Sequence, residues 1–221
     1  MLERTPEPEL MDALEQARAY AEADFAEPHE RFVELFRETF PGRTVTGRVL
    51  DLGCGPADIV LRFARAFPDC RIDGLDAGPN MLALGREAVA AAGLSERVRL
   101  IEGYLPGAVP PEARYDAVIS NSLLHHMVEP AALWQTVREH AAPGAPVFVM
   151  DLMRPASAEQ VQALVERYAE GEPEVLRRDF HNSLHASYTP QEVTGQLAAA
   201  GLDLTVAAVS DRHLLVHGFM P

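Results

Sequence analysis

The hydrophobic positions change their period repeatedly along the chain. Short, mostly apolar runs alternate with longer segments in which apolar residues recur every three or four positions. The runs at 47–51, 71–75, 98–101, 115–120 and 146–150 read as strands. The segments 56–67, 79–93 and 130–141 read as helices. Ile59, Phe63 and Phe67 share one face of the first; Pro79 opens the second and Gly93 closes it; Pro143 and Gly144 close the third. Such alternation argues for a parallel sheet covered on both faces.

Both ends depart from this rhythm. Before the first strand, 9–24 reads as an Ala-rich helix. Pro28 opens another, with Phe32, Leu35, Phe36 and Phe40 at helical spacing. Residues 1–44 thus form an N-terminal helical cap segment. The first eight residues, where Glu3, Pro6, Glu7 and Pro8 crowd together, are the one stretch whose composition leans towards disorder. After the fifth strand, residues 152–188 make a connection far longer than usual, helical over 158–169, and read as a lid insertion. Thr189-Pro190-Gln191-Glu192 is a capping box, and its helix stops at Gly201. Residues 202–209 and 213–219 then pair as a hairpin turned at Ser210-Asp211-Arg212. The whole of 1–221 reads as a single domain.

The net charge is −14, with a pI near 4.9. An acidic chain without a basic run repels nucleic acid and anionic membranes, so neither is expected as a partner. No apolar run approaches the roughly 18 residues of a membrane span, and the N-terminus lacks a secretory pattern. Cys54 and Cys70 are the two cysteines, outside any metal-ligand spacing. A reduced, cytoplasmic setting is the expectation.

Asp51-Leu52-Gly53-Cys54-Gly55-Pro56 lies between a strand and a helix. Glycines there let the backbone come close to a ligand at the carboxyl end of the sheet. A dinucleotide fingerprint would place a third glycine where this chain has Asp58. A carboxylate at a helix N-terminus disfavours a pyrophosphate, and no Gly-Lys-Ser or Gly-Lys-Thr follows. Asp51 instead suits a ligand carrying a sulfonium and an ammonium. Asp76 ends the second strand; it can accept both hydroxyls of a ribose or, alternatively, cap the helix that Pro79 opens.

With Gly74-Leu75-Asp76 and Met81 downstream, the segment Val49 to Gly55 resembles the class I S-adenosylmethionine-dependent methyltransferases. The resemblance covers roughly residues 45–150 and, in outline, the last two strands. It implies an α/β, Rossmann-like, seven-stranded sheet in the order 3-2-1-4-5-7-6, strand seven antiparallel, with helices on both faces and a helical cap. It further implies S-adenosyl-L-methionine as cofactor. Asp51, Gly53 and Gly55 would surround the methionine part, Asp76 would hold the ribose, and Ala77 and Met81 would flank the adenine. Where the family often has Gly-Asp after the third strand, this chain has Gly103-Tyr104, so Tyr104 would contribute by its backbone or by stacking.

Ser120-Asn121-Ser122-Leu123-Leu124-His125-His126 follows the fourth strand. In the family this segment faces donor and acceptor, which makes Asn121 and Ser122 cofactor contacts. Enzymes that methylate nucleobase amines usually carry Asn-Pro-Pro-Tyr here; Asn-Ser-Leu-Leu argues against that class, and the His pair resembles many small-molecule methyltransferases. His125 or His126 could serve as a general base; equally, both could be structural, with alignment alone driving transfer. Tyr20 joins them as a catalytic candidate. Tyr20, Phe25, His29, Asp151, Arg154, His181 and Asn182 are the candidate acceptor contacts, the last two in a polar stretch that also holds Asp179 and Phe180. No metal is expected, because His181 and His185 lack an acidic or Cys partner. A nicotinamide-dependent oxidoreductase and a non-catalytic adenosylmethionine-binding protein are the rival readings. The acceptor nucleophile is an oxygen, nitrogen, sulfur or carbon atom, and the chain is a monomer or a homodimer.

Overall fold

The computed structural model describes residues 2–8, 10, 12–22 and 26–221. Seven strands form one sheet: β1 Arg48–Leu52, β2 Arg71–Asp76, β3 Val98–Glu102, β4 Ala117–Asn121, β5 Pro146–Leu152, β6 Thr205–Ala208 and β7 His213–Phe219. Their spatial order is β3-β2-β1-β4-β5-β7-β6, as the resemblance implied. The first five run parallel, and β7 is antiparallel to both β5 and β6.

Alternation along the strands sorts the core into two layers. Val49, Ala117, Ile119, Phe148 and Met150 face one side; Leu50, Leu52, Val118, Val147 and Val149 face the other. Eight helices accompany the sheet among the described residues: α1 Leu14–Glu22, α2 Ala26–Thr39, α3 Asp58–Ala66, α4 Pro79–Ala91, α5 Ala131–His140, α6 Ala158–Tyr168, α7 Glu174–Ala186 and α8 Pro190–Ala200. Helices α2, α3 and α4 cover the first face, α5 and α8 the second. Trp134 of α5, fully buried, donates its indole N–H to Gln196 of α8 at 3.0 Å.

Within the segment read as an N-terminal cap, α2 is a core helix. Phe36 packs edge-on against Phe63 at 5.0 Å and Phe148 at 5.4 Å between ring centroids. Each such pair adds about 0.5–1.5 kcal/mol beyond area burial. The capping box at Thr189 is present, both of its bonds made. The insertion after β5 contains two helices, α6 and α7, with a small core of its own around Val161, Leu164 and Leu184. The second of these was not anticipated, since its polar stretch lacks an obvious apolar stripe.

The first residues are anchored rather than loose. The Leu2 amide donates to the Ala156 carbonyl at 3.1 Å and the Thr5 amide to the His185 carbonyl at 3.0 Å. The Arg4 guanidinium lies over the Tyr188 ring, 4.0 Å from its centroid, and donates to the carbonyls of Ala186, His125 and Met127. Composition misjudges this strap because its partners are carbonyls more than a hundred residues away.

Candidate active site

A cleft of about 610 Å³ opens at the carboxyl ends of β1, β2 and β4, where open α/β sheets bind their ligands. Its floor is the loop after β1. Gly53 and Gly55 both hold positive φ, +75° and +49°. A Cβ on Gly53 would meet Leu123 Cβ at 2.8 Å, so the loop can approach the β4 turn only with glycine there. Asp58 lies in the first turn of α3, bound by His29 Nδ1 at 2.6 Å and Arg62 Nε at 2.8 Å. It places negative charge at the helix end that phosphate-binding loops keep open for anions.

Two acceptor groups on the cleft wall have no partner. Asp51 is 1% exposed, and neither carboxylate oxygen makes a hydrogen bond. Burial, reinforced by the charge of Asp76, pushes its pKa well above the ordinary carboxylate value. The Asn121 side-chain carbonyl is likewise buried and unpaired, while its amide reaches Ser122 Oγ at 3.2 Å. Ser122 itself takes the left-handed conformation, φ +56°, which is uncommon for a residue with a side chain. Two unsatisfied acceptors in one cleft fit a ligand that brings a cationic hydrogen-bond donor.

Asp76 holds the second position. Its Oδ2 accepts the Gly55 N–H and its Oδ1 the Gly78 N–H, both at 2.8 Å. A carboxylate offers about four acceptor positions, so loop organisation does not exclude a ribose. Burial raises its pKa, although those amides pull the other way. The helix cap that Asp76 was weighed for comes from elsewhere. Gly78, the N-cap of α4, has no side chain; Asp12 of the strap accepts the Asn80 N–H instead, at 2.9 Å.

His125 and His126 sit in a single 3₁₀ turn after β4. His125 Nδ1 lies 2.6 Å from Asp151 Oδ1, and Asp151 Oδ2 accepts the Leu124 N–H at 2.7 Å. Burial opposes charge on His125, but the Asp151 carboxylate overrides it and raises the pKa. For His126, burial and the neighbouring ring act together, and the pKa falls well below the usual histidine value. Across from both stands Glu7 of the strap, which accepts the Ser183 hydroxyl at 2.9 Å. Burial pushes the Tyr20 phenol up to about 12, helped by Asp58, Asp151 and Asp76; it stays protonated at neutral pH and suits a hydrogen-bond role.

Tyr20, His29, Asp51, Gly53, Gly55, Asp76, Ala77, Met81, Gly103, Tyr104, Asn121, Ser122, His125 and His126 all line this cleft. Asp151 stands behind His125, fully buried. Phe25 lies outside the described residues. Arg154, His181 and Asn182 do not reach the lining. Arg154 is tied to Glu192 at 2.6 Å and the Ser187 carbonyl at 3.0 Å, a structural clamp on α8. On α7 the helical period turns Leu176, Asp179, Phe180 and Ser183 to the cleft, leaving His181 and Asn182 on another face. Tyr168, Arg212 and His213 also line the cleft. Nothing local marks them, because α6 and the β6–β7 turn meet the cleft only in three dimensions.

The sheet order, the glycine loop and the paired acceptor groups define an α/β domain built to hold a cationic adenosine ligand. Comparison with known proteins agrees. Residues 49–144 match the family described as a methyltransferase domain. The trans-aconitate 2-methyltransferase of Mycobacterium ulcerans is 35% identical over 98 residues, covering 43% of this chain and 34% of that protein. The release factor glutamine methyltransferase of Gloeobacter violaceus is 37% identical over 95 residues, covering 42% and 32%. These matches span about a third of the curated relatives' length. A SAM-dependent methyltransferase from Aquifex aeolicus shares the fold, with a TM-score of 0.72 over 95% of this chain and 99% of that one at 16% identity. Residues 49–144 thus carry a methyltransferase domain, and the sheet order around them is that of the class I S-adenosylmethionine-dependent type.

Proposed function

We propose that this protein is a cytoplasmic enzyme that delivers the methyl group of S-adenosylmethionine to a small-molecule acceptor. One observation carries the reading: the unpaired acceptors Asp51 and Asn121 share one cleft with the His125–Asp151 pair. When bound, the cofactor supplies an electrophilic methyl on a sulfonium. Asp51 and Asn121 would hold its ammonium, Asp76 its ribose, and Ala77, Met81, Gly103 and Tyr104 its base.

The acceptor would enter between α1, α7 and the turn after β4. Tyr20, Leu152, Tyr168, Leu176 and Phe180 make that end largely apolar and aromatic. Its polar part would meet the group formed by His125, His126 and Glu7. The strap and residues 152–188 serve as the lid, holding the acceptor in line and keeping water out. The two relatives named above carry different acceptors in their names, trans-aconitate and a release-factor glutamine. The methyltransferase-domain match covers residues 49–144, so the strap, α6 and α7 lie outside it, and acceptor choice is assigned to them.

Calorimetric titration with S-adenosylhomocysteine and, separately, with NAD tests the cofactor assignment. Saturable binding of the first alone is expected, and binding of NAD alone would overturn it. Incubation with labelled S-adenosylmethionine and fractionated metabolites then tests catalysis; an acceptor-dependent rise in adenosylhomocysteine is expected. Cofactor binding without any such release would leave a binding protein, not an enzyme.

A further inference from the structure

We propose that Glu7, His125 and His126 form a binding site for one divalent first-row transition ion at the acceptor end of the cleft. The three side chains offer a carboxylate oxygen and two imidazole nitrogens, all within 4.8 Å of one another. They are drawn from two places: the histidines from the turn after β4, the glutamate from the strap.

The hydrogen-bond inventory argues for a cation between them. Asp151 is anchored by the Leu124 amide and accepts from His125 Nδ1, so Nε2 is the ring nitrogen left for an ion, which would displace any proton there. Nε2 faces Glu7 Oε1 at 3.6 Å. His126 Nδ1 is buried without a hydrogen-bond partner, 3.3 Å from the same oxygen. Three electron-rich atoms thus converge with no bridging hydrogen bond. Metal bonds of about 2.1 Å meeting at 90–110° put ligand atoms about 3.0–3.4 Å apart, close to the 3.3 and 3.6 Å between Glu7 and the two imidazole nitrogens.

The surroundings match as well. A ligating histidine nearly always donates its other ring N–H to a carboxylate or carbonyl, which fixes the tautomer; Asp151 does this for His125. Ser183 orients the glutamate through its 2.9 Å bond to Oε1. Two nitrogens and one carboxylate suit zinc, cobalt or iron(II) rather than magnesium or calcium. Three protein ligands leave coordination positions open, as in catalytic rather than structural sites. An acceptor oxygen bound there would lose its proton more readily. Because Glu7 belongs to the strap, loading the ion would also fasten the lid. His181 and His185, the histidine pair whose spacing suggested a metal, have rings 4.7 Å apart and tilted by 43° on α7, with no third ligand among the described residues.

The full chain, stripped with a chelator, is titrated with zinc by calorimetry and with cobalt(II) by visible absorption, in the absence of S-adenosylmethionine. One ion per chain is expected, with ligand-field bands from cobalt. Glu7→Gln and His126→Ala should each weaken binding at least tenfold, Asp151→Asn by about 10–100-fold, and His185→Ala not at all. Glu7→Gln guards against misfolding, since it keeps the shape of the side chain that Ser183 contacts. Wild-type protein that takes no ion, or ion binding that survives Glu7→Gln and His126→Ala, overturns the site. The role of the ion in catalysis rests on the methyltransferase reading, but the titration does not. Adenosylhomocysteine binding measured on the same stripped sample tells the two failures apart.

Discussion

Asp12 caps a helix that begins 67 residues further along the chain. Its Oδ1 accepts the Asn80 N–H at 2.9 Å and the Met81 N–H at 3.2 Å, while Asn80 Nδ2 returns a bond to the Asp12 carbonyl. The strap is thereby fastened to the first turn of α4, beside the Met81 wall of the cofactor cleft. Asp12→Ala should cost roughly 0.5–2 kcal/mol, as loss of an N-cap does. Urea denaturation measures the loss. Amide exchange at Asn80 and Met81 should accelerate more than at α5, and equal acceleration at both would refute a local cap.

Asp51 predicts a pH-dependent affinity. Its carboxyl pKa is raised in the ligand-free fold by burial, and a bound cation would favour the ionised form. Adenosylhomocysteine should therefore bind more weakly as pH falls, with proton release on binding. Calorimetry in buffers of differing ionisation enthalpy detects that release. Asp51→Asn should reduce affinity at least tenfold while leaving the ligand-free protein about equally stable, because an amide of the same shape replaces a buried carboxyl that makes no hydrogen bond. Unchanged affinity would remove Asp51 from the ammonium site.

His213 predicts acid sensitivity of the fold. Burial, with the nearby Arg212 charge, lowers its pKa to about 4, below the unfolded value of about 6.5. Between those limits the unfolded chain binds more protons than the folded one, so stability falls as pH drops from about 6.5 towards 4. The contribution is up to about 3 kcal/mol. His213→Gln should flatten that part of the profile, as followed by chemical denaturation at a series of pH values.

Arg154 separates structural from functional contributions. Replacing it with Met breaks its bonds to Ser187 and Glu192 and should destabilise the protein by on the order of 2–3 kcal/mol. Adenosylhomocysteine affinity should be unchanged, since Arg154 stands outside the cleft. A selective loss of affinity without loss of stability would return it to the binding residues.

Gly53 tests the close approach of the two loops. Alanine there would carry both an unfavourable positive φ and a Cβ 2.8 Å from Leu123. Gly53→Ala should lower thermal stability and weaken adenosylhomocysteine binding. Gly42→Ala, with a similar φ but open space around its Cβ, should leave binding unchanged.

The order of strands and helices, the glycine loop, Asp76 and the capping box at Thr189 were legible from residues alone. Each rests on near neighbours: an apolar period, a positive φ that glycine permits, a side chain reaching three residues along. By its motif the sequence also pointed to the methyltransferase domain and its cofactor class. Other features required the tertiary structure, because their partners are remote in the chain. Glu7 meets His125 and His126 only because the strap packs against the turn after β4, Asp12 caps α4 from the same strap, and Arg212 and His213 reach the cleft from the last hairpin. Composition placed the strap among the loosest residues; carbonyls and a ring on distant elements hold it. Periodicity places a side chain on a face of its own element, and packing alone decides what that face meets.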